Sequence, residues 1–498
     1  MHFAALPDHR AGQHPDGPAL ADPHNGGLTN AELLTRVRTA AARLAKAGVS
    51  AGDVVAVMLP NRVELIIALF AAWRLGAAAT PINPALTPAE VDYQLADSSA
   101  RVLVREDDPE LPDPAVGIVT RAELSEPTPE TAETHDYSGD DLALLVYTSG
   151  TTGRPKGVEL THANILAMAQ SMLASMDLGA DAHSLLILPL FHVNGIVVGV
   201  LTPLLAGGQA TVAGRFSPSS FFGIVEDVRP TYFSAVPAIY AMLAALPADV
   251  APDTSSVRFA ICGAAPMPVG LIADFEQRYG IPIIEGYGLS EGTCASTSNP
   301  IDGIRKPGTV GVALPGQRVA IMNGRGELIT DGSVGEVVVN GPTVMRGYLN
   351  RPEDTANTVV DGWLRTGDIG FLDSDGYLTL VDRAKDMIIR GGENIYPAEI
   401  EAFLFTHPRI AEASVVGLPD LKMGEIVAAW VRPKPGPTLT AEEVRDYCKG
   451  KIAHFKIPQH VRIVESLPMT VSGKIQKFRI REIEIEALGL RDQIATTA

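Results

Sequence analysis

The sequence predicts an α/β fold: a large N-terminal part of layered α/β subdomains, a β-rich subdomain, and a small α+β C-terminal domain. Two observations carry this. Helical and strand-like segments alternate through most of the first 300 residues, the rhythm of a parallel sheet covered on both faces. Past residue 300, Gly, Asp and Asn turns separate short β-runs, and after Asp382 helical and strand patterns mix again. At 498 residues the chain can hold about three cores of ~100–200 residues each, or one large core with a satellite.

Taken in order, residues 29–47 have helical spacing with Asn30 as candidate cap, and 54–59 form an apolar strand. Residues 64–75 return to helical spacing and 77–82 to strand. Residues 107–141 are acidic, rich in Pro and Thr and poor in aliphatics, which reads as a surface connection into the apolar run 142–147. Runs at 185–188, 232–236, 259–262 and 281–285 read as further buried strands, each followed by small residues. Short runs at 319–322, 335–339 and 378–381 make up the β-rich subdomain, about 300–382. Helical spacing at 397–404 and 440–449, with strands at 413–416 and 426–431, fills the C-terminal domain, 383–498. No internal repeat is evident.

Composition narrows the function. With 46% hydrophobic and 20% charged residues there is ample material for burial. Forty basic against 58 acidic residues give a net charge of −18, which disfavours nucleic acid and anionic membranes as partners. An anionic substrate must then find a local basic or backbone N–H site. Cys262, Cys294 and Cys448 are too few and too scattered for a disulfide framework or metal cluster, so a reducing cytoplasm is expected. The N-terminus lacks the basic flank and apolar core of a signal peptide. Residues 185–214 carry no Asp, Glu, Lys or Arg and are long enough to span a bilayer. Pro189, His192, Asn194, Gly195 and Pro203 interrupt them, so a buried strand, a loop and a buried helix are expected instead of a membrane span.

Five segments carry chemistry. YTSGTTGRPKG, residues 147–157, puts three Gly and four Ser/Thr hydroxyls after an apolar strand. Glycine lets backbone N–H groups turn inward as an anion nest, and the hydroxyls with Lys156 add donors and charge. No Gly-Lys-Ser/Thr opens a helix there, so it is not a Walker loop. LPLFHVNG, 188–195, presents His192 after a strand; a packed core histidine has the same pattern. EGYGLSEGT, 285–293, puts Tyr287 at a strand end, where open α/β sheets take ligands. Glu291 is a carboxylate suited to Mg²⁺ beside phosphates, or a solvated loop residue. GWLRTGD, 362–368, and DRAKDMIIRGGENIYP, 382–397, offer Asp368 to accept from ribose hydroxyls and Arg383 to donate; a turn residue and a surface ion pair are the plain alternatives. LPMTVSGKIQK, 467–477, presents Lys474 among small residues, a mobile ammonium or a solubilising charge.

Together and in this order, the five segments resemble the adenylate-forming superfamily of acyl-CoA synthetases, peptide-synthetase adenylation domains and firefly luciferase. The resemblance runs from about residue 25 to 480. It implies a small mobile C-terminal domain and an ATP site between it and the N-terminal AMP-binding domain, residues 1–382. It also implies ATP, Mg²⁺ and CoA as cofactors, and a carboxylic acid as substrate. Thr148, Ser149, Gly150, Thr151, Thr152, Gly153 and Lys156 match the loop on the pyrophosphate end of ATP. Gly263, Ala264 and Ala265, with Glu285, Gly286, Tyr287 and Gly288, match the adenine segments, and Asp368 and Arg383 the ribose contacts. Thr148 and Glu291 match the Mg²⁺ environment and Lys474 the catalytic lysine. His192 matches a residue near the acyl group that reorients between states. Lys385 matches the hinge, and Gly391 and Gly392 match the hairpin lining the pantetheine channel of CoA.

The resemblance also bears on the acid. Val193, Asn194, Ser234, Val236, Gly263, Gly288, Thr293 and Ala295 match the acyl pocket, and none is charged. Met242 stands where malonate-activating relatives carry Arg, and no counterpart of the Asp that receives an amino group is evident at 232–236. The expectation is an AMP-forming acyl-CoA synthetase for a medium- or long-chain or bulky hydrophobic acid. Two rivals remain: an adenylating enzyme loading the phosphopantetheine of a carrier protein, and a nucleotide-binding regulator without catalysis. CoA against holo carrier protein separates the first rival, and acid-dependent pyrophosphate exchange the second.

Overall fold

The computed structural model describes residues 2–108, 115–128, 132, 134–136, 138–148, 154–265, 267–383, 386–391, 393–469 and 475–491. Ser149, Gly150, Thr151, Thr152, Gly153, Lys385, Gly392 and Lys474 therefore lie outside the described residues. The chain divides into two compact units. One comprises Met1–Ala320, Val338–Thr366 and Asp375–Leu378; the other comprises Ile321–Val337, Gly367–Ser374 and Thr379–Ala498.

In the first unit the apolar runs become the centres of two sheets. Within a seven-stranded sheet, Val54–Met58 lies between Ala78–Pro81 and Val102–Arg105, all three parallel. Every residue of the two flanking strands is buried, which is why residues 77–82 read as a continuous run rather than an alternating one; Val102–Arg105 is a strand the sequence reading did not place. Leu142–Thr148 pairs with Ala78–Pro81 and turns back antiparallel into Lys156–Thr161, with Thr148 opposite Lys156. Gly347–Tyr348 closes that edge. The nine-stranded sheet has a parallel centre in the spatial order Ile283–Tyr287, Phe259–Cys262, Tyr232–Ala235, His183–Leu186 and Gln209–Val212. The C-terminal ends of these strands share one edge, the ligand-binding edge of open parallel sheets.

Helix Val63–Arg74 is buried along its whole length, and its Trp73 Nε1–H donates to the Ala143 carbonyl at 2.8 Å. An all-round apolar helix is stable only inside a core. The core cluster here includes Val55 and Leu144 of one sheet with Leu186, Tyr232 and Ile284 of the other.

Two local expectations change, and a third holds. Helix Asn30–Lys46 is capped by Thr29, not Asn30: the Thr29 side chain accepts from Glu32 N–H while the Glu32 carboxylate accepts from Thr29 N–H. This reciprocal box satisfies two end donors at once, and the Asn30 amide oxygen instead accepts from the buried Arg10. Residues 107–141 are more than a connection, because Gly117–Thr120 adds a parallel strand to Val102–Arg105 and Thr120 caps helix Arg121–Ser125. The uncharged stretch forms the expected buried strand, His183–Leu186, a loop, and buried helical segments Val193–Ile196, Val197–Leu201 and Thr202–Leu205, followed by strand Gln209–Val212. Among the described residues no helix is long and apolar enough to cross a membrane.

The second unit holds a five-stranded sheet of Glu393–Ile395, Ile388–Arg390, Gly424–Pro433 and Ile410–Asp420, with His460–Ile463 parallel to Gly424–Pro433. Helices Pro397–Phe405 and Ala441–Cys448 share a core with it through Ile400, Leu404, Val415, Val427 and Val444. Helix Lys477–Ala487 joins a separate cluster at Leu418, Trp430 and Ile480.

Candidate active site

In the first unit, Tyr348 gathers residues matched to the phosphate site. Lys156 opens the strand opposite Thr148, and Tyr348 lies on the next strand, opposite Val158. The Lys156 ammonium stands 5.1 Å from the Tyr348 ring centroid and 3.0 Å from Asp354 Oδ2. The Tyr348 hydroxyl donates to Glu291 Oε1 at 3.0 Å. Burial raises the Tyr348 hydroxyl well above its ordinary value, and Glu291 adds to the shift, so it remains a donor. Glu291 lies on the 3₁₀ turn Ser290–Gly292 beyond strand Ile283–Tyr287, its carbonyl accepting Met345 N–H at 2.8 Å.

Glu291 fits a Mg²⁺ ligand. Its Oε2 accepts no hydrogen bond among the described residues, leaving one hard oxygen for a cation. Among those residues no group of three or more His, Cys, Asp or Glu side chains forms a metal cage. An ion held there would draw its other ligands from phosphates and water, the usual habit of Mg²⁺.

The adenine-matched segments meet through glycines. Cys262 pairs with Glu285 across adjacent parallel strands, and a Cβ on Gly263 would stand 3.4 Å from the Gly286 carbonyl oxygen. At Gly288 a Cβ would lie 1.9 Å from the Cys294 carbonyl oxygen, so only glycine permits this approach. Glu285 is buried, and burial pushes its carboxyl up to about 7, against a hydrogen bond from Gly308 N–H. Tyr287 is buried at the end of the same strand. Ala264 has φ +68°, a backbone region that an alanine rarely adopts.

The acyl-pocket candidates are distributed around this edge. Ser234 is buried on strand Tyr232–Ala235 and Val236 caps helix Pro237–Ala244. His192 caps Val193–Ile196, its ring 4.6 Å from that of Phe191. Val193 is buried. Thr293 and Cys294 both have positive φ, +56° and +104°, strain of the kind that gathers at functional sites. Thr293 Oγ1 donates to the Thr343 carbonyl at 2.5 Å, and the Ala295 carbonyl accepts from Gln317 Nε2 at 2.8 Å. Burial pushes the Cys294 thiol up to about 12, against a hydrogen bond with the Asn194 side chain. Met242 is exposed on its helix.

In the second unit, Arg383 ends strand Leu378–Arg383 and its Nε stands 3.0 Å from Oδ1 of the buried Asp368. The two ribose candidates are thus partners of each other. Gly367, just before Asp368, has φ +69° and donates its N–H to Glu336 Oε1. The Asp382 carboxylate accepts Arg383 N–H at 2.7 Å and Ala398 N–H at 2.8 Å. Gly391 turns the hairpin between Ile388–Arg390 and Glu393–Ile395 with φ +61°, and a Cβ there would stand 2.7 Å from Met423 Cε. Met469 and Ile475, which flank residues 470–474, form an antiparallel bridge.

Sequence reasoning passed over Tyr348, Asp354, and the contact of Cys294 with Asn194. The signal for the first two was GYLNRPEDT, residues 347–355, an aromatic and two acids beside a proline.

The chain as a whole matches known proteins. The family described as AMP-binding enzyme matches residues 7–349, and its C-terminal domain matches 399–474. Oxalate–CoA ligase of Arabidopsis thaliana is 37% identical, covering 95% of this chain and 97% of its own. Feruloyl-CoA synthase of an Amycolatopsis species is 38% identical, covering 96% and 98%. The ATP-bound crystal structure of MatB from Rhodopseudomonas palustris superposes with TM-score 0.91 at 31% identity, covering 97% of this chain and 99% of that one. The chain belongs to the AMP-binding enzyme family, the adenylate-forming superfamily.

Proposed function

We propose that this protein is an AMP-forming acid–thiol ligase that joins a carboxylic acid to CoA through an acyl-adenylate, with ATP and Mg²⁺. The acid we propose carries no charge beyond its reacting carboxylate: a medium- or long-chain, or bulky hydrophobic, carboxylic acid. The observation that carries the reading is the convergence of Lys156 and Glu291 on Tyr348. It sets a cation and a metal-binding carboxylate beside the Thr148 hairpin. Relatives named for oxalate, feruloyl and long-chain fatty acid ligation support CoA ligation without narrowing the acid. The uncharged pocket residues and exposed Met242 support an acid without a second carboxylate.

In the first half-reaction a carboxylate oxygen attacks the α-phosphorus of ATP, and the bond to the β-phosphate breaks to release pyrophosphate. Two anions must approach. Lys156 offsets charge at the leaving group and Lys474 at the reacting centre, where fixed charges are strongest once water is excluded. Mg²⁺ on Glu291 would add charge neutralisation of the phosphates. In the second half-reaction the thiol sulfur attacks the acyl carbonyl, AMP leaves, and the thiol proton passes to solvent. We assign Gly391 and Gly392 to positioning that thiol, with rotation about Lys385 exchanging this hairpin for the Lys474 loop. Positioning supplies the acceleration of such a step. We place the enzyme in the cytoplasm.

The test is ATP–pyrophosphate exchange across an acid panel, repeated with CoA and with a holo carrier protein under thioester detection. Exchange with hydrophobic acids and thioester on CoA is expected. Thioester only on the carrier would replace CoA as the acceptor. No exchange with any acid would end the enzymatic reading.

A further inference from the structure

Lys156 and Glu291 are opposite charges that meet one aromatic side chain, yet among the described residues they do not pair with each other. Lys156 has Asp354 Oδ2 at 3.0 Å and the Tyr348 ring at 5.1 Å, while Glu291 has the Tyr348 hydroxyl at 3.0 Å. One side chain thus meets the cation through its face and the carboxylate through its tip, the two electrostatic preferences of a phenol. The ring is firmly seated. Tyr348 N–H donates to Thr355 Oγ1 at 2.9 Å, its strand pairs with Lys156–Thr161, and a Cβ on neighbouring Gly347 would stand 2.9 Å from Thr355 Cγ2. Asp354 is a different kind of partner: its side chain is 38% exposed while that of Lys156 is 14% exposed. It belongs to helix Pro352–Thr358 and also stands 3.8 Å from Arg351.

A direct ion pair between Lys156 and Glu291 would consume both groups that a metal-bound triphosphate needs. We propose that Tyr348 is a positioning residue that keeps Lys156 and Glu291 apart, and that Asp354 is the counter-ion Lys156 exchanges for nucleotide phosphate. The proposal rests on the ligase reading and adds to it a resting state of the phosphate site. Lys156 is held in place by a half-exposed carboxylate, and Glu291 keeps one oxygen open. Phosphate oxygens arriving at Lys156 replace Asp354, which retains Arg351 and solvent.

The experiment is calorimetric titration of MgATP into the full chain and into three variants, with thermal unfolding as a folding control. Tyr348→Leu removes ring and hydroxyl, lets Lys156 and Glu291 pair, and should weaken binding about ten-fold, 1.4 kcal/mol. Tyr348→Phe keeps the ring against Lys156 and should lose no more than about two-fold, since only a hydrogen bond to one carboxylate oxygen goes. Asp354→Asn removes the competitor and should tighten binding about three-fold at low salt, with the gain fading as ionic strength rises. Equal losses for Leu and Phe would overturn the spacer, and an Asp354→Asn affinity equal to the parent at low salt would overturn the exchange. If Tyr348→Leu does not fold, the Phe variant decides: a ten-fold loss there refutes the spacer. MgATP binding absent in the parent protein overturns the ligase reading itself.

Discussion

Glu285→Gln isolates a buried carboxyl at the adenine-matched strand. Glu285 is 8% exposed on strand Ile283–Tyr287, and burial lifts its carboxyl from an ordinary 4.5 to about 7. Keeping it ionised in the folded protein therefore costs about 3 kcal/mol, at ~1.4 kcal/mol per pKa unit. The direction follows from linkage. Below pH 4.5 both folded and unfolded states hold the proton, and the stabilisation is fully present. As pH rises toward 7 the unfolded chain releases the proton first, so stability is lost through that window and is flat above it. Glutamine has the same shape and no titration. The stability of the parent relative to Glu285→Gln should thus fall by about 3 kcal/mol between pH 4 and 8. Urea unfolding at stepped pH reads this as a diverging pair of curves. His162 and His183, both pushed down to about 4 by burial, destabilise both proteins equally as pH falls below 6.5, so the difference curve removes them. Parallel curves across the whole range would refute the reasoning.

Two further outcomes are expected. Lys474→Ala should lose about 10²–10³ in acyl-adenylate formation, the usual loss for one well-placed charge. It should still convert supplied acyl-adenylate and CoA to thioester, measured as two separate half-reactions; equal losses in both would remove its separate role. Lys477 Nζ stands 2.9 Å from Glu401 Oε1, which also accepts Val415 N–H, with the side chains only 21% and 18% exposed. Lys477→Met strands that carboxylate, so a stability loss of about 3 kcal/mol is expected. Much of it should return in Lys477→Met combined with Glu401→Leu. No recovery in the double variant would mean the pair is not the cause.

The strands were legible because their environment is uniform. Residues 78–81 are buried on both faces, and the run 77–82 records that directly; Val102–Arg105 is just as buried, but its run ends in Arg105 and sequence reasoning passed over it. Gly117–Thr120 escaped notice because an edge strand of four residues, mostly not buried, leaves no such run. The Thr29 cap was available in the Glu32 three positions on, and the shorter signal of Asn30 hid it. The Thr148 loop and Glu291 stood out through local donor density and strand-end position. Tyr348 and Asp354 did not, because their meaning lies in partners far along the chain: Tyr348 meets Glu291 across 57 residues. Local patterning does not record which distant edge a two-residue strand will close.

The most direct measurement is the fate of oxygen. A carboxylic acid labelled with ¹⁸O in its carboxylate, turned over with ATP, Mg²⁺ and CoA, should place one labelled oxygen in AMP and none in pyrophosphate. Label in pyrophosphate or inorganic phosphate, or ADP as the product nucleotide, would contradict attack of the acid on the α-phosphorus.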